Sequence, residues 1–116
     1  MKQKEITIGG VNYPVAFSMK TMLNFEEISG KPFFGESFEH LKERIAIIMS
    51  AALTADKNTT LTVEELMNGD SWEKVQEILA AYGNIMELCA EFMKIPAVEP
   101  QPEKPAEDDQ ESKAKN

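Results

Sequence analysis

Residues that commonly carry catalysis are scarce in this 116-residue sequence, which contains one cysteine, Cys89, and one histidine, His40. A cysteine nucleophile needs a neighbouring base, and a zinc site built on cysteine or histidine needs several such ligands. Cys89 falls on an apolar helical stripe, whereas His40 is surrounded by glutamates. We therefore expect Cys89 to be a packing residue and His40 a surface residue, with neither a catalytic pair nor a zinc site.

A polar stretch at residues 56–60 places oxygen-bearing side chains at alternate positions, as a calcium-binding loop does. Such a loop requires glycine at its sixth position and a bidentate glutamate at its twelfth, and these positions hold Leu61 and Met67. The adjacent pairs Glu26-Glu27 and Glu64-Glu65 are equally unsuited to catalysis, because neighbours on a helix point about 100° apart. The sequence thus predicts no metal site and no cofactor, and it favours a protein that is not an enzyme.

Charge excludes two further classes of partner. Asp and Glu number 20 against 12 Lys and Arg, which gives a net charge of −8 at pH 7. Such a surface repels phosphate backbones and anionic lipids, so neither nucleic acid nor a membrane is an expected partner. The sequence also has no run of about 18 apolar residues and no secretory signal at its start, so we expect a cytoplasmic protein.

The length and composition indicate one small domain followed by a tail. We place the domain at residues 1–96 and the tail at residues 97–116. The tail has six acidic and three basic residues, and Val98 is its sole large apolar residue. A segment of this composition cannot bury enough apolar surface to offset the entropy of ordering, so we expect the tail to be disordered.

The start of the domain has the pattern of a β-hairpin. Apolar and polar residues alternate over residues 4–8 and 11–17, on either side of Gly9-Gly10. A two-residue turn there would pair Ile8 with Val11 and Ile6 with Tyr13, and it would place the apolar side chains on one face. A hairpin alone is marginally stable, so this face must pack on helices.

Four helical segments follow the hairpin. Ser18 can cap a helix that runs to Ser29 and is terminated by Gly30. Ser37 can cap a longer helix over residues 38–55, which is apolar on almost all sides between Ile45 and Leu53. A capping box predicts a short helix after Thr62, and Asp70 can cap the last helix, over residues 71–94. We therefore expect an α+β fold that is mainly α-helical, with the hairpin packed on a bundle of three to four helices.

The last helix carries an unusually wide apolar stripe. The positions at 3-4 spacing, which we assign to the core, are Trp72, Val75, Leu79, Tyr82, Met86, Cys89 and Met93. We expect the adjoining row, Ile78, Ile85 and Phe92, to face outward as part of a protein-binding surface, together with Phe33 and Phe34 beside Gly35. A stripe this wide also predicts weak, concentration-dependent homo-oligomers.

The order of motifs resembles the tail assembly chaperones of long-tailed bacteriophages and prophages. Residues 6–17 show I-x-I-x-G-x-x-Y-x-V-x-F, and residues 20–31 show K-x-x-x-x-F-E-x-I-[ST]-G-K. An Ala-rich apolar helix at residues 46–53 and an acidic helix start at residues 61–65 extend the likeness, which covers roughly residues 5 to 93. The Phe33-Phe34 pair and the long Pro/Glu-rich tail depart from the family pattern.

This resemblance implies a non-enzymatic, mainly helical protein that binds the tape measure protein and the tail tube protein during tail assembly. Such a chaperone acts in the cytoplasm of the bacterial host cell and is absent from the mature virion. The residues also allow a different class of function, a small acidic regulatory or antitoxin-like module that masks a basic site on one globular partner. The proteins that it binds would distinguish the two hypotheses.

Overall fold

The computed structural model describes residues 2–35 and 37–94. The elements in chain order are β1 (Gln3–Ile8), β2 (Val11–Ala16), α1 (Met19–Ser29), α2 (Leu41–Ala55), α3 (Val63–Met67) and α4 (Trp72–Phe92). The fold is α+β and mainly helical, as the sequence predicts. The expected tail at residues 97–116 lies outside the described residues.

The hairpin has the register that the alternating pattern predicts. β1 and β2 are antiparallel, with Ile8 opposite Val11 and Ile6 opposite Tyr13. Gly9 and Gly10 both have positive φ angles, the backbone conformation that a two-residue type I′ turn requires. The side chains of Ile6, Ile8 and Tyr13 are buried, so the apolar face of the hairpin contributes to the core.

Helix α1 begins and ends where its local sequence predicts. The Ser18 side chain accepts a hydrogen bond from the Lys20 amide, and the Thr21 hydroxyl accepts one from the Ser18 amide. Gly30 ends the helix in the left-handed conformation, with φ of 73°, and its amide donates to the Glu26 carbonyl. Both ends are therefore stabilised by local hydrogen bonds.

Helix α2 starts later than the sequence predicts. Its N-cap is His40, not Ser37, and the imidazole makes no capping hydrogen bond. Phe38 has a φ of 59°, which is incompatible with a right-handed helix, and its buried ring packs 5.3 Å from the ring of Phe25. The Phe38 carbonyl accepts a hydrogen bond from the Arg44 side chain at 2.7 Å. Aromatic packing therefore overrides the capping signal at Ser37.

Helices α3 and α4 follow the predicted order with one change of cap. The Thr62 side chain accepts a hydrogen bond from the Glu65 amide at 3.0 Å, as predicted. The N-cap of α4 is Ser71 instead of Asp70. Glu65 does not complete the capping box, because its carboxylate lies 3.8 Å from the Lys74 ammonium.

Helix α2 lies at the centre of the domain, as its apolar composition predicts. All eight of its residues from 45 to 52 are buried. It packs against α1, α3, α4 and β2, while α4 also packs against β1. The hairpin and α4 thus cover one another as well as the central helix, and no element among the described residues packs on the outer faces of α1 and α4.

Candidate protein-binding surface

The orientation of α4 reverses the assignment made from its sequence. Ile78 and Ile85 are 2% and 0% exposed, so the prediction that they face outward is wrong. Trp72 and Leu79, which the spacing assigned to the core, are 67% and 39% exposed. The apolar stripe is wide enough for either row to face the core. Contacts of α4 with β1 and α2 bury the row that contains Ile78 and Ile85.

The two phenylalanines that follow α1 have different environments. Phe33 is buried, so its assignment to a binding surface is also wrong. Its ring packs on Phe25 and Phe38, and its amide donates a hydrogen bond to the Glu26 carboxylate at 3.0 Å. Phe34 is 72% exposed, which agrees with the outward position that we predicted for it.

Phe34 and Phe92 are the two exposed ends of one aromatic cluster. Their rings are linked through the buried rings of Phe33 and Phe17, with neighbouring centroids 5.5 to 5.9 Å apart along the chain of contacts. Phe92 is 45% exposed, in agreement with its predicted outward position. We call these four residues the aromatic patch. Because its outer rings rest on buried rings, the patch is a pre-formed apolar contact surface.

A second apolar surface runs along α4 on the side opposite its buried row. At 100° per residue, a roughly 80° arc contains Trp72, Gln76, Leu79, Gly83, Met86 and Ala90. We call this arc the α4 outer face. Four of these residues are exposed, while Met86 and Ala90 are half-buried. No charged side chain lies within the arc and Gln76 is its only polar one, so it is a largely apolar stripe without a covering element in the described part of the chain.

A groove of about 540 Å³ lies where the end of α1 meets α2 and α3. Its apolar wall includes Ile28, Ile45 and Met67. Lys31 and Glu43 form an ion pair beside it, with an N–O distance of 2.6 Å, and the Glu43 side chain is only 5% exposed. This pair is not among the residues predicted from the sequence, although Glu43 precedes the buried Ile47 by one helical turn and therefore shares its buried face.

Three titratable groups have altered pKa values, and burial or a neighbouring charge explains each shift. Burial raises the pKa of the Cys89 thiol, which contacts the Met93 sulfur at 3.9 Å. Burial also raises the pKa of Tyr82, against the opposing effect of the Arg44 guanidinium 4.5 Å above its ring. The hydrogen bond from Lys4 and its positive charge lower the pKa of Glu87. None of these shifts requires a substrate or cofactor to explain it.

The side chains considered for catalysis and metal binding occupy ordinary structural positions. His40 is exposed at the start of α2, and Cys89 is half-buried on α4. Across residues 2–35 and 37–94, no group of three or more His, Cys, Asp or Glu side chains could hold a metal ion.

Comparisons of this chain with protein-family models, with curated proteins and with solved structures found no match. Within the described part of the chain, none of the helices combines the length and the apolar character that a bilayer crossing demands.

Proposed function

We propose that this protein is a non-enzymatic assembly chaperone of a long-tailed bacteriophage or prophage that binds the tape measure and tail tube proteins during tail formation. The resemblance of residues 6–17 and 20–31 to that family supports the proposal. The structural observation that carries it is the aromatic patch, where Phe34 and Phe92 expose large apolar rings on a small acidic domain. Apolar patches of this kind are typical of sites for protein–protein contact.

The exposed aromatic rings and the acidic charge together suggest how such a chaperone works. An apolar patch on the chaperone covers apolar segments of a structural protein that would otherwise aggregate before assembly. The net charge of −8 keeps the complex soluble. Because the contacts are non-covalent, the growing tail can displace the chaperone, which then remains in the host cytoplasm and does not enter the virion.

The proposal is tested by affinity capture of the tagged full-length chain from bacterial cells that express the neighbouring tail genes. We expect the tape measure and tail tube proteins to be captured and identified by mass spectrometry. Phe34→Asp should reduce this capture at least tenfold without unfolding, because the side chain is exposed and the new charge stays solvated. Asn58→Asp, which makes the same change of charge at an exposed loop position, is the matched control and should leave capture unchanged.

Two results would contradict the proposal. Capture of a single basic enzyme or repressor, without either tail protein, would instead support the acidic regulatory or antitoxin-like module. Equal capture of the tail proteins by the wild type and by Phe34→Asp would remove the aromatic patch from the binding surface.

A further inference from the structure

The α4 outer face has the spacing of a seam that receives another helix. Trp72, Leu79 and Met86 recur every seven residues along this helix of 21 residues, which is about 31 Å long. Trp72 and Leu79 are exposed although both are large and apolar, and Met86 is half-buried. These three large side chains line one side of the helix over about four turns, and a second helix can pack along that side.

The position of Gly83, at the middle of the α4 outer face, separately supports a site that receives a helix. Glycine inside a helix is less favourable than alanine by about 1 kcal/mol. Gly83 is exposed, and a Cβ atom added to it would meet no atom within 4 Å. Packing in the described part of the chain therefore gives no reason for glycine there. The missing side chain leaves a notch between Leu79 and Met86 that can admit a side chain from another helix.

The charges beside the face indicate the chemistry of the occupant. Helix α4 contains four glutamates and one lysine, Lys74, which faces away from the outer face towards Glu65. The two glutamates near its C-terminal end form ion pairs, Glu87 with Lys4 of β1 and Glu91 with Lys2 just before β1. Asp70 and Glu73 flank Trp72 in the sequence and are exposed, and among the described residues neither has an ion-pair partner within 4 Å. Both the carboxylates and the indole attract a cation.

We propose that the α4 outer face binds one amphipathic helix of a basic partner. The partner helix lies along Leu79 and Met86, inserts an apolar side chain at Gly83, and sets a lysine or arginine against Trp72. A second copy of this chain is disfavoured as the occupant, because it would bring a second chain of net charge −8 against the first. This inference deepens the proposed chaperone function and rests on it for the identity of the partner, which is then a helical segment of the tape measure protein.

Trp72 allows the site to be observed directly, because it is the only tryptophan in the sequence. The full-length protein is titrated with three synthetic peptides of about 20 residues that lack Trp and Tyr, a length matched to α4. The first is an amphipathic leucine–lysine helix, the second has the same composition in scrambled order, and the third is an amphipathic leucine–glutamate helix. We expect a saturable blue shift of the Trp72 emission with the first peptide, at least tenfold weaker binding of the second, and no shift with the third.

Substitution at Gly83 separates a fitted site from general attraction between opposite charges. Gly83→Glu adds a negative charge but fills the notch, so we expect binding of the leucine–lysine peptide to weaken at least tenfold. The fold should be retained or stabilised, because the position is open and glutamate favours helix more than glycine does. The matched control, Ala80→Glu, adds the same charge at an exposed position beside the face, and its affinity should equal or exceed that of the wild type.

Equal or tighter peptide binding by Gly83→Glu would overturn the proposal, as would equal binding of the scrambled peptide. If the wild-type protein were a dimer and Gly83→Glu made it a monomer, the α4 outer face would bind a second copy of the chain. That result would also overturn the proposal. The peptide titration and the affinity capture test the binding site and the chaperone function separately. Successful peptide binding without capture of the tape measure protein rejects the chaperone assignment and retains the site, whereas undiminished capture by Gly83→Glu rejects the site alone.

Discussion

Truncation of Ile85 tests which row of α4 lies in the core. Ile85→Ala removes three carbon atoms from a fully buried side chain, at about 0.8 kcal/mol each, and leaves a cavity. The free energy of unfolding should therefore fall by about 3 kcal/mol. For a domain of this size, each kcal/mol lowers the melting temperature by roughly 4–8 °C, so we expect a loss of about 12–24 °C.

Leu79→Ala is the matched control on the same helix. Leu79 is partly exposed, so the same kind of truncation should lower the free energy of unfolding by about 1 kcal/mol or less. Thermal unfolding followed by circular dichroism measures both variants. If Ile85→Ala melted within about 4 °C of the wild type while Leu79→Ala lost more, α4 would present the opposite row to the core and the α4 outer face would not exist.

Three further predictions concern an ion pair, a thiol and the tail. Lys31→Met should lower the free energy of unfolding by about 1–3 kcal/mol in chemical denaturation, because it removes a charged hydrogen bond to the buried Glu43; an unchanged midpoint would contradict this. Cys89 should react with an alkylating reagent more slowly in the folded protein than in urea at the same pH, since burial raises its pKa and thiolate is the reactive form; equal rates would show an open thiol. Deletion of residues 97–116 should leave the melting temperature within a few degrees, and a loss of about 10 °C or more would show that this segment docks on the domain.

The sequence by itself determined the elements whose signals are local. The register of the hairpin follows from alternation about Gly9-Gly10, because a shift of one residue would expose every apolar side chain on the inner face. Ser18 and Gly30 fix the ends of α1 through hydrogen bonds that span only a few residues. The central position of α2 was also predictable, since a helix that is apolar on nearly all sides must be surrounded by other elements.

Of the five residues predicted for the binding surface, only Phe34 and Phe92 are exposed. Tertiary structure decided which of the other apolar residues are buried and where α2 begins, because the sequence was compatible with more than one packing of its aromatic and aliphatic side chains. Phe38 could have begun α2, but its ring joins a buried aromatic cluster in a backbone conformation that no helix allows.

The α4 outer face depended most on tertiary structure. An apolar stripe wider than one helix contact identifies an amphipathic helix but does not specify the centre of the buried face. Contacts with β1 and α2 turn Ile78 and Ile85 inward and leave Trp72, Leu79 and Gly83 at the surface. The rotation of a helix about its axis is set by what packs against it, and its own sequence cannot determine that when two rows are equally apolar.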